Sequence, residues 1–220
     1  MKKLLIALAA LTLTAPALAD PAVRGWKTND SLGCMMMREC TDEVIEIKST
    51  EDLDAYFPYA NFDLVRTETD GLIAELNKMG VRVYLGNEKY FVSRQAGVYY
   101  TVGNDPFLND SYADDPYQML QTLRHEGYHA AQDAMAGTID NNSLAIIYPE
   151  EEVPSEYIMA AEIAYPENVR PWEQEAKWAG GTMGMTLEVL RIINDTDGKP
   201  WTVIEPTPLT RLWLERNGYM

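Results

Sequence analysis

The sequence predicts an α+β fold with a small antiparallel or mixed sheet, a helix backing it, one helix that carries the chemistry, and a mainly helical second half. Three observations predict it. Short strand-like runs cluster between residues 43 and 102, whereas beyond residue 116 the apolar residues recur at helical spacing. One helix-period segment has both ends marked, by Asp114-Asp115-Pro116 and by Gly137. No internal repeat, low-complexity tract or linker divides the chain, so residues 20–220 read as one domain.

The first nineteen residues combine a basic start at Lys2 and Lys3, an apolar stretch from Leu4 to Leu13, and small residues at Ala17 and Ala19 before Asp20. This is the pattern of a signal peptide cut after Ala19, and it predicts a secreted or periplasmic protein. An uncleaved anchor is the competing reading, but no later apolar run has the length of a membrane span. Cys34 and Cys40 are expected to pair in an oxidising compartment and pin a local turn; a free pair or a thiolate metal site is the alternative. The methionines between them, Met35 to Met37, read as core filling rather than copper ligands.

Glu43 to Ile47 alternates like a strand, and Ser49 to Phe57 reads as a short capped helix. A longer helix from Asp63 to Met79 carries Leu64, Ile73, Leu76 and Met79 and stops at Gly80. Strand-like runs follow at Val81 to Leu85, Lys89 to Ser93 and Gly97 to Val102, punctuated by Gly86-Asn87 and by Gly103-Asn104-Asp105-Pro106.

In the helix that starts at Pro116, an apolar stripe runs through Leu120, Leu123, Gly127, Ala130, Ala131 and Ala134. His125 and His129 lie roughly 160° from that stripe, on an edge shared with Gln118, Thr122, Gln132 and Asp133, which predicts a solvent-reachable cleft rather than core. Gly127, unfavourable inside a helix by about 1 kcal/mol relative to alanine, predicts close approach of another element. Beyond Gly137 the chain reads as loop to Glu152, then as helix from Ser155 to Ala164, stopped by Pro166. A further helix runs from Pro171 past Trp178, breaks at Gly180-Gly181, and resumes through Met185 to Ile193. Pro200 to Met220 reads as a short strand and a Leu/Trp-containing segment on the surface.

His125 and His129 are the two histidines of the chain, and His125-Glu126-Gly127-Tyr128-His129 is an H-E-x-x-H pattern. One helical turn brings both imidazoles to the same side, where they can share a metal ion, with the intervening carboxylate turned toward a water on it. The chain resembles the zincin metallopeptidases, most strongly in about ten residues around His125. The resemblance implies one catalytic zinc, Glu126 as general base, and a peptide or protein substrate. It also implies that the helix, strands and motif helix in that order form the upper half of the zincin fold. Gly97 to Val102 is then the candidate edge strand, to which an extended peptide adds as one more strand.

A catalytic zinc takes three protein ligands and keeps one open position. With no third histidine, and Met135 where the metzincin pattern has one, a carboxylate must complete the site. Glu173 is preferred, because Glu173 and Ala176 match the phase of the Glu-x-x-Ala-Asp helix of gluzincins. Lys177 departs from that pattern, which has Asp or Asn there to orient a zinc-bound histidine, so the orienting group must come from elsewhere. Glu175 is the nearest rival and Glu162 a weaker one; both Glu173 and Glu175 also read as first-turn acids that suit a helix dipole. Gly137-Thr138-Ile139-Asp140 resembles the start of the aspzincin Gly-Thr-x-Asp signature, but the following Tyr-Gly is missing, and a turn is preferred. A donor for the developing oxyanion is sought among Tyr157, Tyr165 and Arg170.

Asn194 to Gly198 is read as a helix-ending turn rather than an EF-hand loop, because Ile193 and Ile204 occupy its first and twelfth ligand positions. The acidic segment from Asn104 to Asp115 admits a structural calcium ion, or simply turn and N-cap chemistry. The formal charge is −16; without Lys2 and Lys3, 16 basic residues face 34 acidic ones, a charge of −18. Nucleic acid and anionic membranes are poor partners for that field. The alternative to a peptidase is a non-proteolytic, acidic, exported binding protein on the same scaffold.

Overall fold

The computed structural model describes residues 28–40, 42–137, 139, 142–196 and 205–218. The signal-peptide segment, Asp140 and the strand expected after Pro200 lie outside them. The elements in order are α1 (Thr28–Met36), β1 (Val44–Ile47), α2 (Thr50–Tyr56), α3 (Arg66–Lys78), β2 (Val83–Gly86), β3 (Gly97–Tyr100), β4 (Asp105–Asn109) and α4 (Asp110–Ala113). They continue with α5 (Pro116–Met135), α6 (Ser155–Ala164), α7 (Arg170–Gly181), α8 (Met185–Asp195) and α9 (Pro208–Asn217). This is the expected mixed α+β composition with a small mixed sheet.

Local chemistry accounts for the element ends. Ser49 caps α2 in a reciprocal capping box with Asp52. Asp115 caps α5 by accepting the Tyr117 and Gln118 N–H groups, with Pro116 at the first helical position, and Gly137 leaves the helix at a φ of 128°. Two sequence expectations fail in the sheet. Lys89 to Ser93 is not a strand: Asn87 caps a 3-10 turn at Glu88–Tyr90 instead. Asp105 to Asn109, expected as turn, is a wholly buried strand. Its prolines and acids suggest a loop, but Asp105 is neutralised by Arg38 and Phe107 and Leu108 fill the core.

The sheet order is β1-β2-β4-β3, with β2 and β4 parallel and the other neighbours antiparallel. β3 is therefore an edge. Its alternate residues serve two faces. Val98 and Tyr100 join a small core with Phe107, Tyr90, Phe91 and the Cys34–Cys40 disulfide, in which Met35 is buried while Met37 is exposed. Gly97 and Tyr99 face α5, and the Tyr99 hydroxyl donates to Asp133 at 2.9 Å.

The main core lies on that second face, where α5 packs against α3, α7, α8, β3 and β4. Arg124 of α5 forms a bidentate pair with Glu68 of α3 at 2.5 and 2.6 Å, and Glu68 also accepts the Gly184 N–H. Thr186 of α8 donates to the Arg124 carbonyl at 2.9 Å, beside Gly127, whose missing Cβ leaves contact distances of 3.4 Å to Thr186 and 3.6 Å to Leu76. α8 ends at Asp195 with Thr196 as its C-cap, as expected for that segment, and Asn194 in its last turn donates to Glu75 of α3. No described helix is long and apolar enough to cross a membrane.

Candidate metal centre

His125 and His129 project from the middle of α5 with ring centroids 4.9 Å apart. The ligand atoms of His125, Glu126 and His129 all lie within 4.8 Å of one another, a group that could hold a metal ion. The helix edge they occupy is more enclosed than expected: His129 is 6% exposed, and Gln132 and Asp133 are fully buried. The reason is that α7 and the segment 144–148 cover the C-terminal turns of α5, leaving only the His125 end open.

Glu173, on the first turn of α7, reaches into this edge. Its Oε2 lies 3.3 Å from His125 Nε2 and its Oε1 3.6 Å from His129 Nε2. Oε2 is buried and makes no hydrogen bond. Burial alone would raise the Glu173 pKa, but the two histidines hold the carboxyl well below the usual range. Burial alone would lower the His129 pKa, yet Glu173 and then Glu126 raise it to about 9. Two imidazole nitrogens thus face the two oxygens of one carboxylate, of which Oε2 is orphaned, and the arrangement favours positive charge there, from a proton or a cation. The donor set fits a metal ion.

Glu175 points elsewhere. It is fully buried and accepts from Ile147 N–H at 3.1 Å, Tyr148 N–H at 2.6 Å and Gln132 Nε2 at 2.8 Å. It ties three segments together and faces no open site. The Gln132 amide oxygen faces His129 Nδ1 at 2.8 Å. Because Gln132 presents its amide N–H to Glu175, that oxygen must accept, which places a proton on Nδ1, so that in the neutral ring the lone pair lies on Nε2, toward Glu173. Gln132 is the orienting group that Lys177 cannot be. In the sequence Gln132 is only a polar neighbour of the histidines, and its i,i+3 spacing from His129 is the signal that points to this role. Glu162 is exposed on α6, with only its carbonyl engaged, by Arg170.

The site opens into a cleft of about 1030 Å³ between β3 with its preceding loop and α6 with α7. Gly97 presses on its floor: a Cβ there would fall 2.6 Å from Thr122 Cγ2 and 2.9 Å from Glu126 Oε1. Only glycine lets the edge strand lie this close to Glu126. Burial raises the Glu126 pKa, opposed by the two histidines. Tyr157 and Tyr165 both line the cleft, and the Tyr165 phenol, raised by burial and then by Glu173, stands beside the carboxylate. Arg170 does not reach the cleft, since its guanidinium bonds the carbonyls of Tyr165 and Glu162. Three acids of segment 104–115 are engaged by protein groups: Asp105 pairs with Arg38, Asp110 accepts from Tyr56, Asn87 and Glu88, and Asp115 caps α5.

Comparison of the chain with models of known protein families, with curated proteins and with solved structures finds no match.

Proposed function

We propose that the protein is an exported zinc metallopeptidase of minimal gluzincin type, in which His125, His129 and Glu173 hold the ion and Glu126 is the general base. The observation that carries this reading is the position of Glu173: a residue remote in sequence faces both Nε2 atoms, at 3.3 and 3.6 Å, with a buried oxygen that has no other donor. Two imidazoles and one carboxylate, with space left on the cleft side, is the ligand set of catalytic zinc. An antiparallel edge strand lying on the motif helix supports a zincin-like arrangement of the upper half.

A bound zinc ion supplies Lewis acidity that polarises a peptide carbonyl and makes a water acidic near neutral pH. The chain's own groups do the rest. Glu126 takes the proton of the attacking water and passes it to the leaving amine, and its burial raises its basicity for that purpose. β3 offers its free edge to an extended peptide directly above Glu126. Tyr157 and Tyr165 are the phenols placed to donate to the developing oxyanion.

The test is elemental analysis of the purified mature protein, dialysed without added zinc, beside His129→Ala, Glu173→Ala and Glu126→Gln. One zinc per chain is expected in the wild type and in Glu126→Gln, none in the other two, with peptide cleavage only in the wild type. A metal-free wild type overturns the reading and leaves an acidic binding protein.

A further inference from the structure

The chain carries 34 acidic residues against 18 lysines and arginines, so its cations find carboxylates easily, as Arg124 finds Glu68 and Lys78 finds Glu75. Among the described residues Lys48, Arg94 and Arg216 make no ion pair but are exposed, which Lys177 is not. The Lys177 ammonium too makes no hydrogen bond or ion pair among the described residues, and it lies over the Tyr165 ring, 5.1 Å from the centroid. Lys48, Lys78 and Lys89 are exposed, whereas Lys177 is half-buried and lines the cleft.

Its place on α7 is informative. Lys177 follows Glu173 by one helical turn, so the two share a face. The carboxylates of the cleft, Glu126 and Glu173, are both turned to the imidazoles. The Tyr165 ring gives the ammonium an aromatic platform but no anion. A half-desolvated charge held this way attracts a carboxylate more strongly than a surface lysine would. Arg94, the other cation lining the cleft, is exposed on the loop before β3.

We infer that Lys177 recognises a carboxylate on the substrate, next to the bond that reacts, so that the preferred substrates are peptides that present a carboxylate there. This rests on the peptidase reading. The carboxylate belongs either to an Asp or Glu side chain or to a free peptide C-terminus.

The experiment uses zinc-loaded Glu126→Gln protein, to prevent turnover, and three fluorescent peptide pools identical except for one residue and the terminus. One has Glu and an amidated end, one Gln and an amidated end, and one Gln and a free end. Anisotropy titration is expected to show about tenfold tighter binding of one carboxylate pool over the neutral pool, as for a single charged hydrogen bond. Which pool it is identifies the source. Added Lys177→Gln should bring the ratio to near one, and Lys177→Arg should restore most of it, which a purely structural lysine would not do. An unchanged ratio in Lys177→Gln, or a ratio lost only in Arg94→Gln, overturns the inference. Failure of the peptidase reading is separate: the acidic pool binds through Lys177 but the wild type cleaves nothing. Cleavage with no carboxylate preference sinks the inference and spares the reading.

Discussion

Gln132 Nε2 donates to Glu175 Oε2 at 2.8 Å, and the oxygen of the same amide faces Nδ1 of His129 at 2.8 Å. A buried glutamate on α7 therefore dictates the tautomer of a histidine on α5. Glu175 is itself held by two backbone N–H groups from the segment that crosses between these helices.

The first consequence concerns metal affinity. Gln132→Leu removes the acceptor for His129 Nδ1, and zinc binding is expected to weaken about 10- to 100-fold. Competition with a chromophoric chelator measures this; affinity equal to wild type would show that the amide does not orient the ring.

The two neighbouring glutamates should separate cleanly. Glu175→Ala strands two buried donors, at about 1–3 kcal/mol each, and a third that is partly buried, and should lower the stability of chelator-treated protein by several kcal/mol in urea titration. Glu173→Ala should leave that stability within about 1 kcal/mol of wild type while abolishing metal retention. The reverse pattern would exchange their roles.

Gly97→Ala puts a methyl group against Thr122 and Glu126, at distances no Cβ tolerates. Pushing β3 off the helix is expected to cost about 1–3 kcal/mol of stability and at least about tenfold in kcat/KM on peptides. Parallel thermal and kinetic assays check both, and a variant with wild-type turnover would place the reacting bond away from β3.

Acid sensitivity follows from Glu68. Burial pushes its pKa up, but Arg124 and the Gly184 N–H outweigh this and hold it below the ordinary 4.5. Between those two values the folded chain binds fewer protons than the unfolded one. The contribution of Glu68 is thus complete above about pH 4.5 and is lost as pH falls through the lower folded value. Glu68→Gln should be less stable at pH 6, where Arg124 stays buried and unpaired, yet lose less between pH 6 and 3.5. Denaturation curves that fall in parallel would rule the pair out as an acid-labile link.

Much of this was legible in local sequence because it is local chemistry. Ser49, Asp115-Pro116 and Gly180-Gly181 mark helix ends by capping and flexibility that act within a few residues, and α2, α5 and α7 end close to where they predict. Glu173 was legible for a different reason, the resemblance of its helix to a known ligand pattern. β4 was not legible: a five-residue strand containing Asp105, Pro106 and Asn109 pairs with its sequence neighbour β3 but also depends on Arg38, on β2 and on burial, which are remote in sequence. The same holds for the Gln132–Glu175 contact. Helical projection placed the histidine edge on a cleft, as found, but did not show that Gln132 and Asp133 on that edge are buried, since periodicity tells which face is apolar and not that a second helix will roof part of the polar one.

The helix bearing Glu173 follows the H-E-x-x-H helix by a long, loop-rich stretch and docks on it through Gly180, which lies against the Gln121 carbonyl and His125 Cβ. On the proposed ligand set, a chain emerging from synthesis or passing through an export channel presents a pair of imidazoles long before their carboxylate partner arrives. Ion capture would then wait on the docking of α7 against α5, so the centre is completed by a long-range tertiary contact and not by the motif helix alone.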